Sequence, residues 1–337
     1  MTQLSSRPHV DLKSLPPNGF VEGIYSIINP QVGTTRAGKP YLKCLLRDAT
    51  GEAAARQWTF EEGMIGQLES TGFVYVAGHS QLYNGQTQII LEDIRPVEVT
   101  DEEIARLLPT TTQDIGLMFE QLKGILQTLT HPAMKALAEA YLSDEEMMGR
   151  FKQAPAAMSM HHAWIGGLLE HTLQLMKLAE AMLPLYPKLN RDIVLMGLFL
   201  HDLGKTVELT WAKGFDYTED GNLIGHVVRG AIWLQVKAAV AAKNSGQKMP
   251  ASAVRVLQHI VLSHHGDPEF GAAKLPSTPE AVFVSILDNL DAKTQMALTA
   301  ARQDDCEEEI PSGGKDFTDK VYALGTRMYK PDPLKGS

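Results

Sequence analysis

The most informative segment of the sequence is Phe199-Leu200-His201-Asp202-Leu203-Gly204-Lys205, in which an imidazole and a carboxylate are adjacent after an apolar run. Residues 192–200 predict a helix, and Gly204 is expected to end it with a left-handed cap. His201 follows Val194 and Leu198 at helical spacing and therefore lies on the buried stripe. A buried carboxylate is costly unless a partner offsets its charge. A divalent metal is one such partner, and a hydrogen-bonded His–Asp pair at a capped helix end is the alternative.

Other predicted helices between residues 158 and 301 carry the same residue types on apolar stripes or at helix ends. A single histidine on an apolar stripe is usually a core residue whose ring is hydrogen-bonded. Several independent core histidines, however, would each need a separate buried hydrogen-bond partner. One shared partner explains them together. We therefore predict a metal centre lined by His171, His201, Asp202, His226, His264, His265 and Asp288. Because this set exceeds the needs of one ion, two ions bridged by Asp202 are predicted.

The predicted ligands are imidazoles and carboxylates without a thiolate, which suits manganese, iron or zinc better than calcium or copper(I). Two such ions would clamp an in-line displacement at phosphorus. Lys205 directly follows the His–Asp pair and is a candidate catalytic cation for a phosphate oxygen. Its alternative role is to complement the dipole at a helix end.

The region 20–99 has a different pattern, with five short predicted strands and a helical piece between the third and fourth. Asn84-Gly85 is a hairpin-turn signal between the last two strands. This pattern predicts a small OB-type barrel. Basic and aromatic side chains alternate on it in a way that suits stacked bases and phosphates of a single strand. The nucleic-acid-binding candidates are Lys39, Tyr41, Lys43, Arg47 and Trp58, and the alternative is a solvated strand face with core aromatics.

Composition sets the remaining bounds. The 337 residues carry a net charge of −9 and two cysteines, which argues against a broad duplex-binding face and against a thiolate metal site. We expect a cytoplasmic protein without a membrane segment or signal peptide, because no apolar run has the required length. The predicted fold class is multidomain α+β. Its segments are a mobile lead-in at 1–19, an OB-type domain at 20–99, a helical connector at 100–157, an all-α domain at 158–301 that holds the predicted metal centre, and a C-terminal segment at 302–337 without assigned function.

The order of these motifs resembles the HD-domain phosphohydrolases and, more closely, the YhaM-type 3′–5′ exoribonucleases, which join an OB-type domain to an HD domain. The motifs that carry the resemblance are Gly38-Lys39-Pro40-Tyr41, the His201-Asp202 stretch, Gly221-Asn222-Leu223-Ile224-Gly225-His226, Leu262-Ser263-His264-His265-Gly266 and Asp288-Asn289-Leu290-Asp291-Ala292-Lys293. The resemblance implies hydrolysis of single-stranded RNA from its 3′ end to nucleoside monophosphates. Single-stranded DNA is a second candidate substrate. Manganese is favoured, with Fe, Zn, Mg, Co and Ni open.

The resemblance also distributes the ligands. One ion would be held by His171, His201, Asp202 and Asp288, and the second by His226, His264 and His265, with Asp202 as the bridge. Asp291 competes with Asp288 for the last position and ranks below it. His161 and His162 would line the substrate path rather than bind metal.

Two other functions remain open from the sequence. One is an HD-type phosphohydrolase of nucleotides or cyclic dinucleotides, because a fold does not determine its substrate. The other is a non-catalytic nucleic-acid-binding protein with a structural metal. Apolar positions on the connector helices suit either a core or a homo-oligomer interface.

Overall fold

The computed structural model describes residues 8–83, 86–158, 162–211, 214–302, 316–332 and 334. The chain divides into two compact units, each with its own internal contacts. The first comprises Met1–Thr112 together with Thr210–Asp216, and the second comprises Gln113–Leu209 together with Tyr217–Ser337. His161, one of the two predicted substrate-path residues, lies outside the described residues.

The first unit contains a closed five-stranded barrel with the strand order β1-β2-β3-β5-β4. Its elements are β1 (Phe20–Thr34), β2 (Pro40–Arg47), β3 (Glu52–Gln57), α1 (Ile65–Thr71), β4 (Phe73–Tyr83) and β5 (Gln86–Pro96), followed by α2 (Asp101–Leu107). The pairing of β3 with β5 is parallel and closes the barrel. Strands β4 and β5 pair as far as Tyr83 and Gln86, and the predicted turn at Asn84-Gly85 falls outside the described residues.

Side chains alternate across the barrel wall as a two-residue period requires. On β2, Leu42, Cys44 and Leu46 point into the core, whereas Lys43 and Leu45 are exposed. The predicted small barrel with a helix between the third and fourth strands is confirmed.

Part of the predicted mobile lead-in packs against this barrel. Leu12 is buried in the barrel core, and its amide donates to Oδ2 of Asp48 at 2.9 Å. The hydroxyl of Tyr25 donates to the carbonyl of Val10 at 2.6 Å. These contacts attach the segment that precedes β1 to the barrel.

The second unit is helical. Its helices are α3 (Ile115–Gln127), α4 (Pro132–Leu142), α5 (Glu145–Gln153), α6 (Gly167–Met182), α7 (Arg191–Leu200), α8 (Lys205–Glu208), α9 (Glu219–Leu223), α10 (His226–Ser245), α11 (Ala251–Ser263) and α12 (Pro279–Ala301). The two-residue strands β6 (Leu209–Thr210) and β7 (Asp216–Tyr217) lie between α8 and α9 along the chain. A short hairpin of β8 (Phe317–Val321) and β9 (Thr326–Tyr329) contacts α12.

Helix α7 is the centre of this unit. Every residue from Asp192 to Leu200 is buried, and the helix packs on α4, α6, α11 and α12. A helix that is apolar all round is stable only when it is enclosed in this way. Its C-terminal end therefore delivers His201 and Asp202 into the interior of the helical unit. None of the helices among the described residues combines the length and apolar character needed to cross a bilayer.

Candidate metal centre

The site begins where α7 ends. The side chain of His201 is fully buried, and Asp202 retains 3% of its exposure. Nδ1 of His201 lies 2.7 Å from the carbonyl oxygen of Leu198, one turn back along the helix. Because a carbonyl only accepts hydrogen bonds, Nδ1 carries the proton and Nε2 presents its lone pair to the interior.

The predicted left-handed conformation of Gly204 is wrong, because its φ is −59° and its ψ is −24°. The reason for glycine here is space. A Cβ on Gly204 would lie 2.2 Å from the carbonyl oxygen of His226. The absence of a side chain lets the backbone of His226 approach the His201-Asp202 turn closely.

Four imidazoles surround the carboxylate of Asp202, two on each oxygen. Nε2 of His201 and Nε2 of His171 lie 3.4 Å and 4.0 Å from Oδ2. On the opposite side, Nε2 of His226 and Nε2 of His264 each lie 3.4 Å from Oδ1. A carboxylate with a separate set of imidazoles on each oxygen has the arrangement of a bridge between two ions.

The remaining predicted ligands complete the two sides. Oδ1 of Asp288 lies 3.2 Å from Nε2 of His171. Nε2 of His265 lies 3.3 Å from Nε2 of His226. Two groups with metal-like spacing therefore share one carboxylate, namely His171, His201 and Asp202, and Asp202, His226, His264 and His265. All seven predicted ligands are brought together.

The outer nitrogen of every one of these rings is anchored. Three rings contact backbone carbonyls, with Nδ1 of His201, His264 and His265 at 2.7, 2.9 and 2.7 Å from the oxygens of Leu198, Val261 and Phe270. The other two contact carboxylates, with Nδ1 of His171 and His226 at 2.8 Å from Asp291 and Glu208, respectively. Such contacts set the tautomer and the orientation of metal-ligating histidines.

The unsatisfied atoms at the centre test whether a metal fits. Nε2 of His201, Nε2 of His264 and Oδ1 of Asp202 are buried and have no hydrogen-bond partner among the described residues. Burying such atoms without a partner costs about 1–3 kcal/mol each. The two nitrogens lie 3.4 Å from opposite oxygens of the Asp202 carboxylate, and all three atoms are lone-pair donors of the kind that divalent ions accept. The residues present therefore fit a divalent metal.

Charge at the site is balanced around Asp202. Burial alone would raise the pKa of this carboxyl, but the positive charge of Lys205 holds it well below its usual range. Nζ of Lys205 donates to Oδ2 of Asp202 at 2.8 Å. Burial opposes the charge on Lys205, yet the carboxylate of Asp202 raises its pKa, so the ammonium stays protonated. Asp202 is consequently an anion that is available for ligation.

The two sides differ in their imidazoles. Burial opposes the charge on His171, but its hydrogen bonds to Asp288 and Asp291 raise its pKa to about 9. Burial and the neighbouring His264 lower the pKa of His265 to about 3. In the absence of an ion, the ring of His171 is thus protonated on both nitrogens at neutral pH, whereas His265 is neutral.

The other predicted residues lie around this centre. His162 is buried, and its Nε2 lies 3.3 Å from Oδ2 of Asp291, the carboxylate that also contacts Nδ1 of the predicted ligand His171. A cavity of about 310 Å³ opens onto the site and is lined in part by Lys205, Phe270, Asp288 and Lys293.

Glu208, which contacts Nδ1 of His226, was not predicted from the sequence. It lies six residues after Asp202, and no periodic signal distinguishes it from a surface acid.

The barrel carries the predicted nucleic-acid-binding residues. The rings of Tyr41 and Trp58 lie 5.3 Å apart, and Trp58 is 45% exposed. The guanidinium of Arg56 lies 5.7 Å from the ring of Trp58 and 5.9 Å from that of Tyr83. Lys43 pairs with Arg56 across β2 and β3. The sequence reading missed Arg56, although its outward position opposite Lys43 follows from the strand alternation.

Two predicted residues lie apart from that aromatic cluster. Lys39 is exposed in the turn that precedes β2, where its backbone pairs with Thr35. Arg47 is partly exposed, and its Nε donates to Glu52 at 2.6 Å. The carboxylate of Glu52 already neutralises Arg47, so this guanidinium is less available to a phosphate than the ammonium of Lys43 on the same strand.

A buried His–Asp centre built from five helices and the turns at their ends defines the class of HD-domain proteins. The HD-domain family model matches residues 168–293, which contain all seven predicted ligands. The 3′–5′ exoribonuclease YhaM of Geobacillus sp. (strain WCH70) is 34% identical over 303 residues, covering 89% of this chain and 88% of that protein. YhaM of Bacillus subtilis (strain 168) is 33% identical over 301 residues, covering 89% and 91%. The chain belongs to the YhaM family of HD-domain exoribonucleases.

Among solved structures, the second OB-fold domain of replication protein A from Methanococcus maripaludis is 16% identical and covers 28% of this chain and 98% of its own, with a TM-score of 0.22. The OB-type assignment of the barrel rests on its own strand order and closure.

Proposed function

We propose that this protein is a metal-dependent 3′–5′ exoribonuclease that hydrolyses single-stranded RNA to nucleoside monophosphates at a two-ion site. The observation that carries the proposal is the carboxylate of Asp202, which faces two imidazoles on each of its oxygens. Membership of the YhaM family supports the reaction and its direction. Single-stranded DNA is a second candidate substrate.

The proposed ligands divide at Asp202. His171, His201 and Asp288 would hold one ion on the Oδ2 side, and His226, His264 and His265 would hold the other on the Oδ1 side. Imidazole and carboxylate ligands suit Mn²⁺, which we favour, and leave Fe, Zn, Mg, Co and Ni as alternatives. When bound, such ions polarise phosphoryl oxygens and lower the pKa of water.

The chain's own side chains supply the remaining chemistry. Asp202 is held as an anion, and Lys205 stays protonated beside it at the wall of the cavity. When a phosphate enters, Lys205 is placed to donate to an oxygen on which charge develops. Lys293 also lines the cavity and adds a second cation for the incoming strand. The anchored Nδ1 atoms keep the imidazoles from rotating during the reaction.

The barrel is proposed to bind the strand that the helical unit shortens. Tyr41 and Trp58 provide stacking surfaces, and Lys43 and Arg56 provide cations on the same outward face. Stacking of bases on aromatic rings, combined with a positive surface, binds single strands without sequence preference. The terminal nucleotide would then occupy the cavity of about 310 Å³ beside Asp202.

The proposal is tested with RNA labelled separately at each end in the presence of Mn²⁺. A 3′–5′ exonuclease releases the 3′ label at once as a mononucleotide and shortens the 5′-labelled strand in steps. A mononucleotide and a cyclic dinucleotide serve as comparison substrates. If these small molecules were hydrolysed while the RNA stayed intact, the proposal would be contradicted and a small-nucleotide phosphohydrolase would be favoured. Bound metal without hydrolysis of any of the substrates would favour a structural site.

A further inference from the structure

The five inward imidazoles are anchored by two kinds of acceptor, backbone carbonyls and carboxylates, and both kinds occur on each side of Asp202. On the Oδ2 side, His201 contacts a backbone carbonyl, whereas His171 contacts the carboxylate of Asp291. On the Oδ1 side, His264 and His265 contact carbonyls, whereas His226 contacts the carboxylate of Glu208. Each proposed ion position thus has one carboxylate-backed imidazole.

Glu208 is built into the fold for this contact. Its Oε1 accepts from the backbone amide of His226 at 3.0 Å and lies 2.8 Å from Nδ1 of the same residue. The residue is 8% exposed. A Cβ on Gly221 would lie 2.3 Å from the carbonyl of Glu208, so the chain after α8 packs tightly over it. Burying a carboxylate costs free energy unless hydrogen bonds offset the lost hydration, and for Glu208 both of these hydrogen bonds go to His226.

Asp291 has the corresponding position on the other side. Its side chain is 3% exposed, and its Oδ2 lies 2.8 Å from Nδ1 of His171 and 3.3 Å from Nε2 of His162. His162 has a left-handed backbone with φ of 52°, a conformation that non-glycine residues adopt at an energetic cost. Asp291 therefore lies between two buried imidazoles, those of His171 and His162.

We propose that Asp291 and Glu208 are paired positioning residues, one for each metal ion, and that each controls the affinity of its own ion through a single imidazole. This inference rests on the two-ion site of the proposed function. A carboxylate behind an imidazole orients the ring and makes its inner nitrogen a stronger ligand than a carbonyl does. The affinities of the two ions are therefore separately adjustable.

The test uses Glu208→Gln and Asp291→Asn. Each amide side chain keeps an oxygen that can accept a hydrogen bond from Nδ1 of the histidine, but it lacks the negative charge. Glu180→Gln is the matched control, since Glu180 pairs with Arg191 in the same unit and contacts no imidazole of the site. Mn²⁺ is titrated into the metal-free full-length chain. Bound metal is measured by mass spectrometry, and the electron paramagnetic resonance spectrum separates coupled pairs from single ions.

The wild-type chain and Glu180→Gln are expected to bind two Mn²⁺ ions and to show a coupled-pair spectrum. Each variant is expected to weaken one ion by about 10–100-fold, in line with mutation of carboxylates behind metal-ligating histidines. At a Mn²⁺ concentration between the two affinities, each variant then binds one ion with a single-ion spectrum. The double variant should weaken both ions.

Two results would overturn the inference while leaving the two-ion site intact. One is wild-type affinity for both ions in both variants. The other is equal weakening of both ions by either variant, together with a lower melting temperature of the metal-free chain, which indicates a structural role. A wild-type chain that never binds a second ion would instead contradict the two-ion part of the proposed function.

Discussion

The carboxylate of Asp291 contacts the outer nitrogen of His171, at 2.8 Å from Nδ1, rather than the inner nitrogen that faces Asp202. The inner nitrogen lies 3.2 Å from Oδ1 of Asp288. The two acids are three residues apart on α12 and lie on opposite sides of one imidazole. Of the two, Asp288 is therefore the one that faces the proposed metal.

A first prediction separates these two roles. Asp288→Ala should abolish turnover at limiting Mn²⁺, because it removes a proposed ligand, whereas Asp291→Asn should reduce metal affinity by about 10–100-fold and recover turnover at high Mn²⁺. Turnover of single-stranded RNA is measured across a Mn²⁺ series for both. The ligand assignment would be reversed if Asp291→Asn were inactive at every concentration and Asp288→Ala recovered.

A second prediction concerns Lys205, whose ammonium donates to Asp202 at 2.8 Å. Lys205→Met should lower kcat by about 10²–10³-fold, the usual effect of removing one donor to developing charge. Mn²⁺ affinity should not fall, because a neighbouring cation repels the ion. Lys177→Met, which removes a lysine that pairs with Gln121 in the same unit, is the control. An unchanged kcat at saturating Mn²⁺ would assign Lys205 a purely structural role.

A third prediction concerns the aromatic pair on the barrel. Trp58→Ala should weaken binding of single-stranded RNA by about 1–3 kcal/mol, or about 5–150-fold, because one stacking surface is lost. Binding is measured by fluorescence anisotropy without divalent ions, so that the RNA stays intact. Phe20→Ala is the control, because it removes an exposed ring of the same barrel that packs on His79 and lies outside the proposed stacking pair. If both variants bound equally weakly, the effect would belong to the barrel as a whole and not to this face.

A fourth prediction uses Asp48, whose side chain is fully buried and accepts from the amides of Leu12, Thr50 and Gly51 at 2.9, 2.7 and 2.9 Å. Burial alone would raise the pKa of this carboxyl, but hydrogen bonds from His9, Thr50 and the Leu12 amide outweigh it and lower the pKa. A group whose pKa is lowered by folding stabilises the protein above its unfolded pKa of about 3.9, and that contribution is lost as the pH falls through the folded pKa.

Asp48→Asn should therefore lower the free energy of unfolding of the barrel by about 1–3 kcal/mol at neutral pH, and the deficit should shrink as the pH falls below about 4. Urea unfolding followed by circular dichroism, at neutral pH and again below about pH 4, measures the deficit and its change with pH. Asp11→Asn, in which the neutralised acid is exposed, should show neither effect. A deficit that is the same at both pH values would show that the charge of Asp48 does not contribute to the stability of the barrel.

The sequence was informative wherever a single helix or strand determines the outcome. His201 lies on the stripe of Val194 and Leu198, and the alternation on β2 separates Leu42 from Lys43. Spacing within one element determines these positions, and the sequence therefore predicts them. The ligand set could also be assembled, because one shared partner explains several buried polar groups.

The sequence was uninformative about the pairwise contacts by which one element packs on another. Gly204 has a right-handed conformation and is small because the backbone of His226 packs against it. Glu208, the last residue of α8, contacts His226, the first residue of α10, and Asp291 contacts His171 from a different helix. None of these contacts leaves a periodic trace in the chain, so each becomes visible only when the helices are packed together.

The most direct test of the two-ion account is the Asp202→Ala variant on 5′-labelled single-stranded RNA with Mn²⁺. Because Asp202 is the proposed bridge, its loss should abolish stepwise shortening and reduce bound Mn²⁺, while RNA binding measured without metal stays close to that of the wild-type chain. The wild-type chain should produce a ladder that shortens from the 3′ end. An Asp202→Ala variant that produces the same ladder at the wild-type rate would contradict the account.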